Sequence, residues 1–163
     1  MAKNAKPSET DDPRDEPVTP SVLDPQTHAE IQMLYRESTE TLRFVKNHQW
    51  KTVGATLMVF FALIFVAGYI DAGRDLTRQF MGITITICCA AIFMLVLYQF
   101  WTHNEQTKIN NMQPHMSSLF GDIRALKSKR EGNIHRYLLL MFMMIAVVLG
   151  ALVVHLAFSK IAA

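Results

Sequence analysis

The residues of this sequence best suited to chemistry are its histidines. His48, His103 and His135 each stand beside a long apolar run, so three helices could bring their imidazoles together, and imidazole is a common ligand of zinc and similar metals. The sequence has no His-x-x-x-His or Glu-x-x-His pair that would fix two ligands on one helix. We therefore interpret the three histidines as ordinary residues of a membrane interface and predict no metal site.

His155 is the only histidine or charged residue well inside an apolar run. An ionisable group at membrane depth is a candidate proton relay or haem ligand. Haem held by two histidines would need a second histidine at the same depth, which only another copy of the chain or a partner subunit could supply. A neutral imidazole near the outer headgroups is the simpler interpretation. The sequence thus predicts no cofactor and leaves His155 as the one cofactor-binding candidate.

The remaining residues give no sign of catalysis. Cys88 and Cys89 are adjacent, so their side chains diverge on a helix, and a buried thiol behaves as a small apolar group. The sequence has no glycine-rich phosphate loop, no nucleophile beside a base and no paired carboxylates within its apolar runs. The basic residues 127–136 lack interleaved aromatic residues. We predict neither an enzyme nor a nucleic-acid partner.

Three apolar runs without a charged residue must position these side chains: residues 53–70, 80–101 and 137–159. As helices they are about 27 to 34 Å long, which is the thickness of the hydrocarbon core of a bilayer. Buried helices of a soluble protein seldom have apolar runs of this length, and three in succession are rarer. We predict an all-α integral membrane protein with three transmembrane helices. A hairpin over residues 51–101, turning at residues 71–79, precedes a third span over 137–159.

Lysine and arginine are unevenly distributed about these spans. Of those near the spans, ten lie before the first or between the second and third, and three lie on the other side. The positive-inside rule therefore predicts a cytoplasmic N-terminus and a C-terminus outside. Trp50, Trp101 and Tyr137 fall at the same predicted cytoplasmic interface, with Lys51 beside the first of them, and such side chains anchor helices at the headgroup level.

The N-terminal part of the chain divides into two segments. Residues 1–23 combine charges and prolines without an apolar core and are predicted to form a disordered tail. Residues 24–50 are predicted to form a cytoplasmic amphipathic helix that continues into the first span. Asp24 is a suitable cap, and Thr27 with Glu30 fits a capping box.

Residues 102–136 form a second cytoplasmic helical segment in this interpretation. Apolar residues recur there at intervals of three and four, as in a coiled coil. They are Ile109, Met112, Met116, Leu119, Ile123 and Leu126. The stripe could pack against the helix over 24–50 or another copy, or lie on the membrane surface. We favour packing, because Gly121 and Asp122 weaken a purely interfacial helix.

Small residues recur every four positions in two of the spans. Gly82, Thr86 and Ala90 do so in the second span, and Ala146 and Gly150 in the third. Small side chains at this spacing let transmembrane helices approach closely. We predict helix contacts at both stripes.

The stretch ahead of the first span resembles the corresponding part of a loose group of small bacterial membrane proteins of unknown function. The resemblance covers about twenty residues, LYRESTETLRFVKNHQWKTV. Its matching residues are Tyr35, Glu37, Arg43, Phe44, Lys46, Gln49 and Trp50. The resemblance implies a bacterial inner-membrane location and no particular activity.

We therefore predict a non-catalytic membrane protein, an accessory or scaffold subunit of a larger inner-membrane complex. Its expected partners are the lipid bilayer and other membrane-protein subunits or further copies of itself. A self-assembling pore or transport component is the alternative. A haem-binding electron-transfer subunit acting through His155 is a further one.

Overall fold

All regular structure in the described part of the chain is helical. The computed structural model describes residues 18–125 and 129–161, and contains no strand within them. The elements are α1 (Pro25–Tyr69), α2 (Arg74–Met112), a 3-10 turn (Gln113–His115), α3 (Ser118–Ala125) and α4 (Lys129–Ile161). The predicted all-α class is confirmed over these residues.

The first helix, α1, is a single helix of 45 residues. Its cap is Asp24, whose carboxylate accepts a hydrogen bond from the N–H of Thr27 at 3.0 Å, and Pro25 occupies the first turn, where its missing N–H is tolerated. Because Thr27 is already inside the helix, the predicted capping box with Glu30 does not begin it. At about 1.5 Å per residue α1 is about 67 Å long, roughly twice a hydrocarbon core. As expected, the amphipathic segment and the first apolar run form one helix.

A turn of only four residues joins α1 to α2. Asp71 adopts a left-handed φ of 49°, and the N–H of Ala72 donates to the carbonyl of Ala67 at 3.0 Å, which is a Schellman-type helix end. Both alanines are buried in the core, so packing also holds this end. The predicted connection over residues 71–79 was too long, because α2 already begins at Arg74.

Helix α4 packs against both members of the α1–α2 hairpin. The rings of Phe80, near the start of α2, and Phe158, near the end of α4, lie 6.1 Å apart. The end of α4 is therefore beside the turn of the hairpin, and α4 runs in the same direction as α1. The buried apolar residues recur at intervals of four or seven along each helix. They include Val53, Phe60 and Ala67 of α1, Ala91 and Leu95 of α2, and Met143, Val147, Val154 and Phe158 of α4.

Three of the helices are long and apolar enough to cross a membrane: α1, α2 with its following turn, and α4 from Ile134 onward. Many of their large apolar side chains face outward, among them Phe61, Phe65, Phe93, Phe142 and Leu156. A soluble protein buries such side chains, whereas lipid chains solvate them. The prediction of three helices suited to spanning a membrane is confirmed in their number, length and composition.

The segment over residues 102–136 differs from its prediction. It is divided into the end of α2, the 3-10 turn, α3 and the start of α4. The predicted apolar stripe therefore does not lie on one helix: Ile109 is buried in α2, Leu119 and Ile123 are exposed on α3, and Leu126 lies outside the described residues. Pro114 lies in the 3-10 turn and cannot continue the α-helical hydrogen bonding of α2.

Helix α3 instead contacts α1 through the residues that directly follow those of the predicted stripe. The ring of Phe120 meets that of Tyr35 edge to face, with centroids 5.5 Å apart. The guanidinium of Arg124 lies 5.9 Å from the centre of the same tyrosine ring. Packing within the chain is thus observed for α3, but through Phe120 and Arg124 rather than through the predicted stripe.

The chain ahead of α1 is hydrogen-bonded to the 3-10 turn and to the first residue of α3. The N–H of Thr19 donates to the hydroxyl of Ser118 at 3.0 Å, and the N–H of Ser118 donates to the carbonyl of Thr19 at 3.2 Å. The hydroxyl of Ser21 donates to the carbonyl of His115 at 2.9 Å. The predicted tail over residues 1–23 is therefore held in place at its end, and its first 17 residues lie outside the described part.

Candidate functional site

A row of buried polar side chains lies between α1 and α2. It runs from the predicted membrane interface toward the predicted cytoplasmic end of the two helices. We call Ser38, Gln49, Gln99, Thr102 and Glu105 the polar seam. All five are buried, on the same faces of α1 and α2 that carry buried apolar residues elsewhere along these helices. Buried polar groups are destabilising unless they are hydrogen-bonded, so their presence here is informative.

Glu105 is the centre of the seam, with only 6% of its surface exposed. Its carboxylate accepts a hydrogen bond from Lys108 Nζ at 2.7 Å. The side chains of Ser38, across the seam, and Trp101, one turn away, are hydrogen-bond donors close enough to lower the pKa of this carboxyl. Burial by itself raises the pKa of Glu105, but the hydrogen bond from Lys108, the charge of Lys108 and the nearby donors outweigh burial and hold the pKa below its ordinary value. The carboxylate is therefore buried in its ionised form, with Lys108 as its hydrogen-bond partner.

Two other members of the seam differ in how they are satisfied. The hydroxyl of Thr102 donates to the carbonyl of Tyr98 at 2.9 Å, within its own helix. The side-chain nitrogen of Gln99 is buried and has no hydrogen-bond partner among the described residues. A buried donor without a partner costs about 1–3 kcal/mol, so the seam is a weaker contact than the apolar core above it.

The buried threonines higher in the bundle are satisfied locally. The hydroxyl of Thr56 donates to the carbonyl of Thr52 at 2.8 Å, and that of Thr84 donates to the carbonyl of Phe80 at 2.9 Å. Threonine commonly makes this bond within a membrane helix. The hydrogen of each hydroxyl is therefore bonded within its own helix rather than to the neighbouring helix.

The three interfacial histidines do not form a cluster. The described residues contain no group of three or more His, Cys, Asp or Glu side chains placed to hold a metal ion. His48 is half-buried against Phe44, with ring centroids 3.9 Å apart, whereas His103 and His135 are exposed. Among the described residues these side chains thus do not form a metal-binding group.

His155 points away from the bundle. It is exposed, while its neighbours Val154 and Phe158 are buried in the core. The parts of α1 and α2 at the same end of the bundle contain no histidine. A second axial ligand at this level would therefore have to come from another molecule, and a cofactor role for His155 stays a prediction.

The predicted membrane anchors are all on the surface. Trp50, Lys51, Trp101 and Tyr137 are exposed, as an interfacial role requires, and that role stays a prediction. Trp101 also lies one turn before Glu105, close enough to lower the pKa of that carboxyl, so this tryptophan adjoins the polar seam.

The two stripes of small residues lie in different surroundings. A Cβ added to Gly150 would lie 2.6 Å from Leu57 Cδ2 and 3.1 Å from Phe60 Cδ2, so α4 approaches α1 closely there. Ala146, on the same face, packs against the core. Gly82, Thr86 and Ala90 are exposed, and a Cβ on Gly82 would meet nothing within 4 Å. The stripe on α2 is thus exposed in the described chain. Its contact with another helix stays a prediction.

Glu105 is the principal residue that the sequence did not point to. Its segment was interpreted as a solvated cytoplasmic helix, where a glutamate is ordinary. Ser38 did interrupt the apolar stripe of its helix, which is the one available signal of a polar contact. The pairing of the two residues depends on the helix register, which the turn at residues 70–73 sets.

Comparison of the chain with models of protein families, with curated proteins and with solved structures finds no significant match. What is established is the class that the fold defines: an all-helical chain with three helices suited to spanning a membrane. The resemblance to small bacterial membrane proteins stays a prediction.

Proposed function

We propose that this protein is a non-catalytic integral membrane protein that serves as an accessory or scaffold subunit of a larger inner-membrane complex. In this proposal the hairpin of α1 and α2 and the third helix α4 span the bilayer, with the N-terminus in the cytoplasm. The excess of Lys and Arg on that side supports the orientation.

The observation that carries the proposal is the length of the hairpin beyond its apolar runs. The part of α1 before Trp50 extends about 37 Å and the part of α2 after Trp101 about 16 Å, at about 1.5 Å per residue. We call residues 25–50, residues 102–112 and α3 the stalk. A transmembrane anchor alone has no need of such an extension, whereas a subunit that contacts another protein in the cytoplasm does.

The surface of the stalk is suited to contact. Its interior is partly polar, while Met33, Leu34, Leu119 and Ile123 are exposed. Exposed apolar side chains away from lipid commonly mark protein interaction sites. The stalk therefore offers apolar contacts to a partner, and α3 presents two of them on a short helix held against Tyr35.

The structure offers less support for the alternative functions. A pore formed within one chain would need a continuous polar lining, and the buried threonine hydroxyls instead bond to their own helices. A pore formed by several copies would have to use the outward faces, which are strongly apolar along the spans. Haem binding through His155 would likewise depend on a second molecule.

Purification under gentle conditions tests the proposal. After mild detergent extraction, native gels and mass spectrometry should show the chain in an assembly with at least one other membrane protein. The double variant Leu119→Ser with Ile123→Ser should lose that partner while remaining in the membrane fraction. Val22→Ser is the matched control, because Val22 is an exposed apolar residue off the helices of the stalk. A wild-type chain that purifies as a lone monomer or dimer would refute the proposal.

A further inference from the structure

Aromatic rings from both helices of the hairpin meet at the predicted cytoplasmic interface. The rings of Phe44 and Trp101 lie 6.4 Å apart and nearly edge to face. The ring of His48 lies 6.3 Å from that of Tyr98. Phe44 is 51% and Trp101 44% exposed, so the rings form part of the surface, with α1 and α2 each contributing one wall.

The imidazole of His48 has a defined orientation within this group. Its Nδ1 lies 3.1 Å from the carbonyl oxygen of Phe44. A carbonyl oxygen only accepts, so Nδ1 must carry the hydrogen of this bond. The other ring nitrogen, Nε2, remains for a group outside the helix, as a donor when the imidazole is protonated.

Trp101 is a wall of the same surface. Its ring stands nearly edge to face with that of Phe44, and it lies one turn before Glu105, close enough to help lower the pKa of that carboxyl. The exposed part of the indole is largely apolar. Such a wall suits the glycerol region and first methylenes of a lipid better than it suits a charged headgroup.

Positive charge lies at the membrane end of this face. Lys51 is exposed and, three residues after His48, shares its side of α1. Glu105, one turn after Trp101, is buried and paired with Lys108. An ammonium and an imidazole beside apolar walls complement one phosphate group attached to an apolar chain.

We propose that Phe44, His48, Lys51, Tyr98 and Trp101 form a binding site for the phosphate headgroup of an anionic phospholipid of the cytoplasmic leaflet. The ammonium of Lys51 and the imidazolium form of His48, whose Nε2–H then donates, bind the phosphate oxygens. The Phe44 and Trp101 rings contact the glycerol and upper acyl chains. The site depends on insertion into a bilayer but on no partner subunit. A protein that purifies alone would thus refute the accessory-subunit proposal and leave this one open to test.

The test uses the purified full-length protein in vesicles of phosphatidylcholine and phosphatidylglycerol in equal parts. After extraction in mild detergent, native mass spectrometry counts the lipids that remain bound. We expect phosphatidylglycerol to be retained in preference to phosphatidylcholine, and Lys51→Gln to lower this preference about fivefold, since a lysine near the surface contributes about 1 kcal/mol to the attraction of anionic lipid. His48→Gln should lower it as well.

Two variants serve as matched controls. Lys46→Gln removes an exposed charge from the opposite side of α1, and His103→Gln removes an exposed imidazole outside the site. Both should keep the wild-type preference. Equal retention of the two lipids, or equal losses in the control and site variants, would overturn the proposal. A third arm adds inorganic phosphate during extraction: retention of the lipid supports the site, and its displacement would assign the residues to a free anion instead.

Discussion

Glu105 shows how a single buried charge can define the contact between two helices. Replacing a buried, hydrogen-bonded charge by an apolar residue of similar size is often neutral or stabilising, so such a group is weak evidence for stability. Polar residues at packing positions are better attested as determinants of register and partner choice. We interpret the contact between Glu105 and Ser38 as a device that selects one register of α1 against α2 in the stalk.

Removal of the hydroxyl of Ser38 should weaken the stalk measurably. We expect Ser38→Ala to lower the free energy of unfolding by about 1 kcal/mol, because the buried carboxylate of Glu105 loses a nearby hydroxyl that favours its ionised form. Thr39→Ala is the matched control, since the hydroxyl of Thr39 donates to the carbonyl of Tyr35 within its own helix. Thermal unfolding followed by circular dichroism in detergent measures both variants. A control variant as unstable as Ser38→Ala would contradict the assignment.

Acidification should destabilise the stalk through the same carboxylate. Because the pKa of Glu105 is lower in the folded state than its ordinary value, its ionised form stabilises the fold above the pKa of the unfolded chain. That contribution is lost as the pH falls through the lowered pKa of the folded state. Between about pH 7 and about pH 3 the wild type should therefore lose more thermal stability than Glu105→Gln does.

The control for this pH dependence is Glu40→Gln, because Glu40 pairs with Arg36 on the surface at 3.0 Å, where ion pairs contribute little. Its melting temperature should fall with pH as the wild type's does. If Glu105→Gln showed the same fall, the seam would not be the acid-sensitive element.

At the scale of the helices, close approach is decided by which face of a helix meets a neighbour. Both stripes of small residues have the spacing that favours helix contact. Only the stripe on α4 lies against another helix of this chain, where Gly150 meets Leu57 and Phe60. On α2 the buried face is instead that of Thr77, Thr84 and Ala91, spaced by seven residues.

Enlargement of the two glycines should therefore have different effects. Gly150→Leu should destabilise the bundle by about 1–3 kcal/mol or more, because a large side chain must displace the buried ring of Phe60. Gly82→Leu is the matched control and should be close to neutral, since its added atoms meet open space. The two melting temperatures in detergent measure the difference. Equal destabilisation by the two substitutions would contradict the close contact of α4 with α1 at Gly150.

Gly150→Ala tests a smaller side chain at the same position. Its Cβ would crowd the end of the Leu57 side chain, which can move, and alanine favours a helix over glycine by about 1 kcal/mol. The two effects oppose one another, so we expect a change smaller than that of Gly150→Leu.

At the scale of the whole molecule, the orientation in the membrane follows from charge and is the most direct proposal to test. Alkaline phosphatase fused after Ala163 should be active, because the proposed C-terminus is outside the cytoplasm and this enzyme folds only where its disulfides form. The same reporter fused after His115, between the second and third proposed spans, should be inactive. An active second fusion together with an inactive first fusion would show the opposite topology.

The sequence by itself determined the class of the fold. Three apolar runs of membrane length, separated by charged segments, predict the three long helices, and the structure contains them. The continuity of α1 and its start after the cap Asp24 were equally predictable, because local capping chemistry and the absence of proline between residues 26 and 69 do not depend on a neighbour.

Only the tertiary structure decided which faces meet. The turn at residues 70–73 sets the register of α1 against α2 and so brings Ser38 to Glu105, residues far apart in the sequence. The same register buries Ile109, exposes Gly82 and leaves Leu119 and Ile123 on the surface of α3. In a membrane chain every face of a spanning helix is apolar, so hydrophobic periodicity does not distinguish the face that contacts lipid from the face that contacts protein. Packing distinguishes them, through close contacts such as that between Gly150 and Phe60.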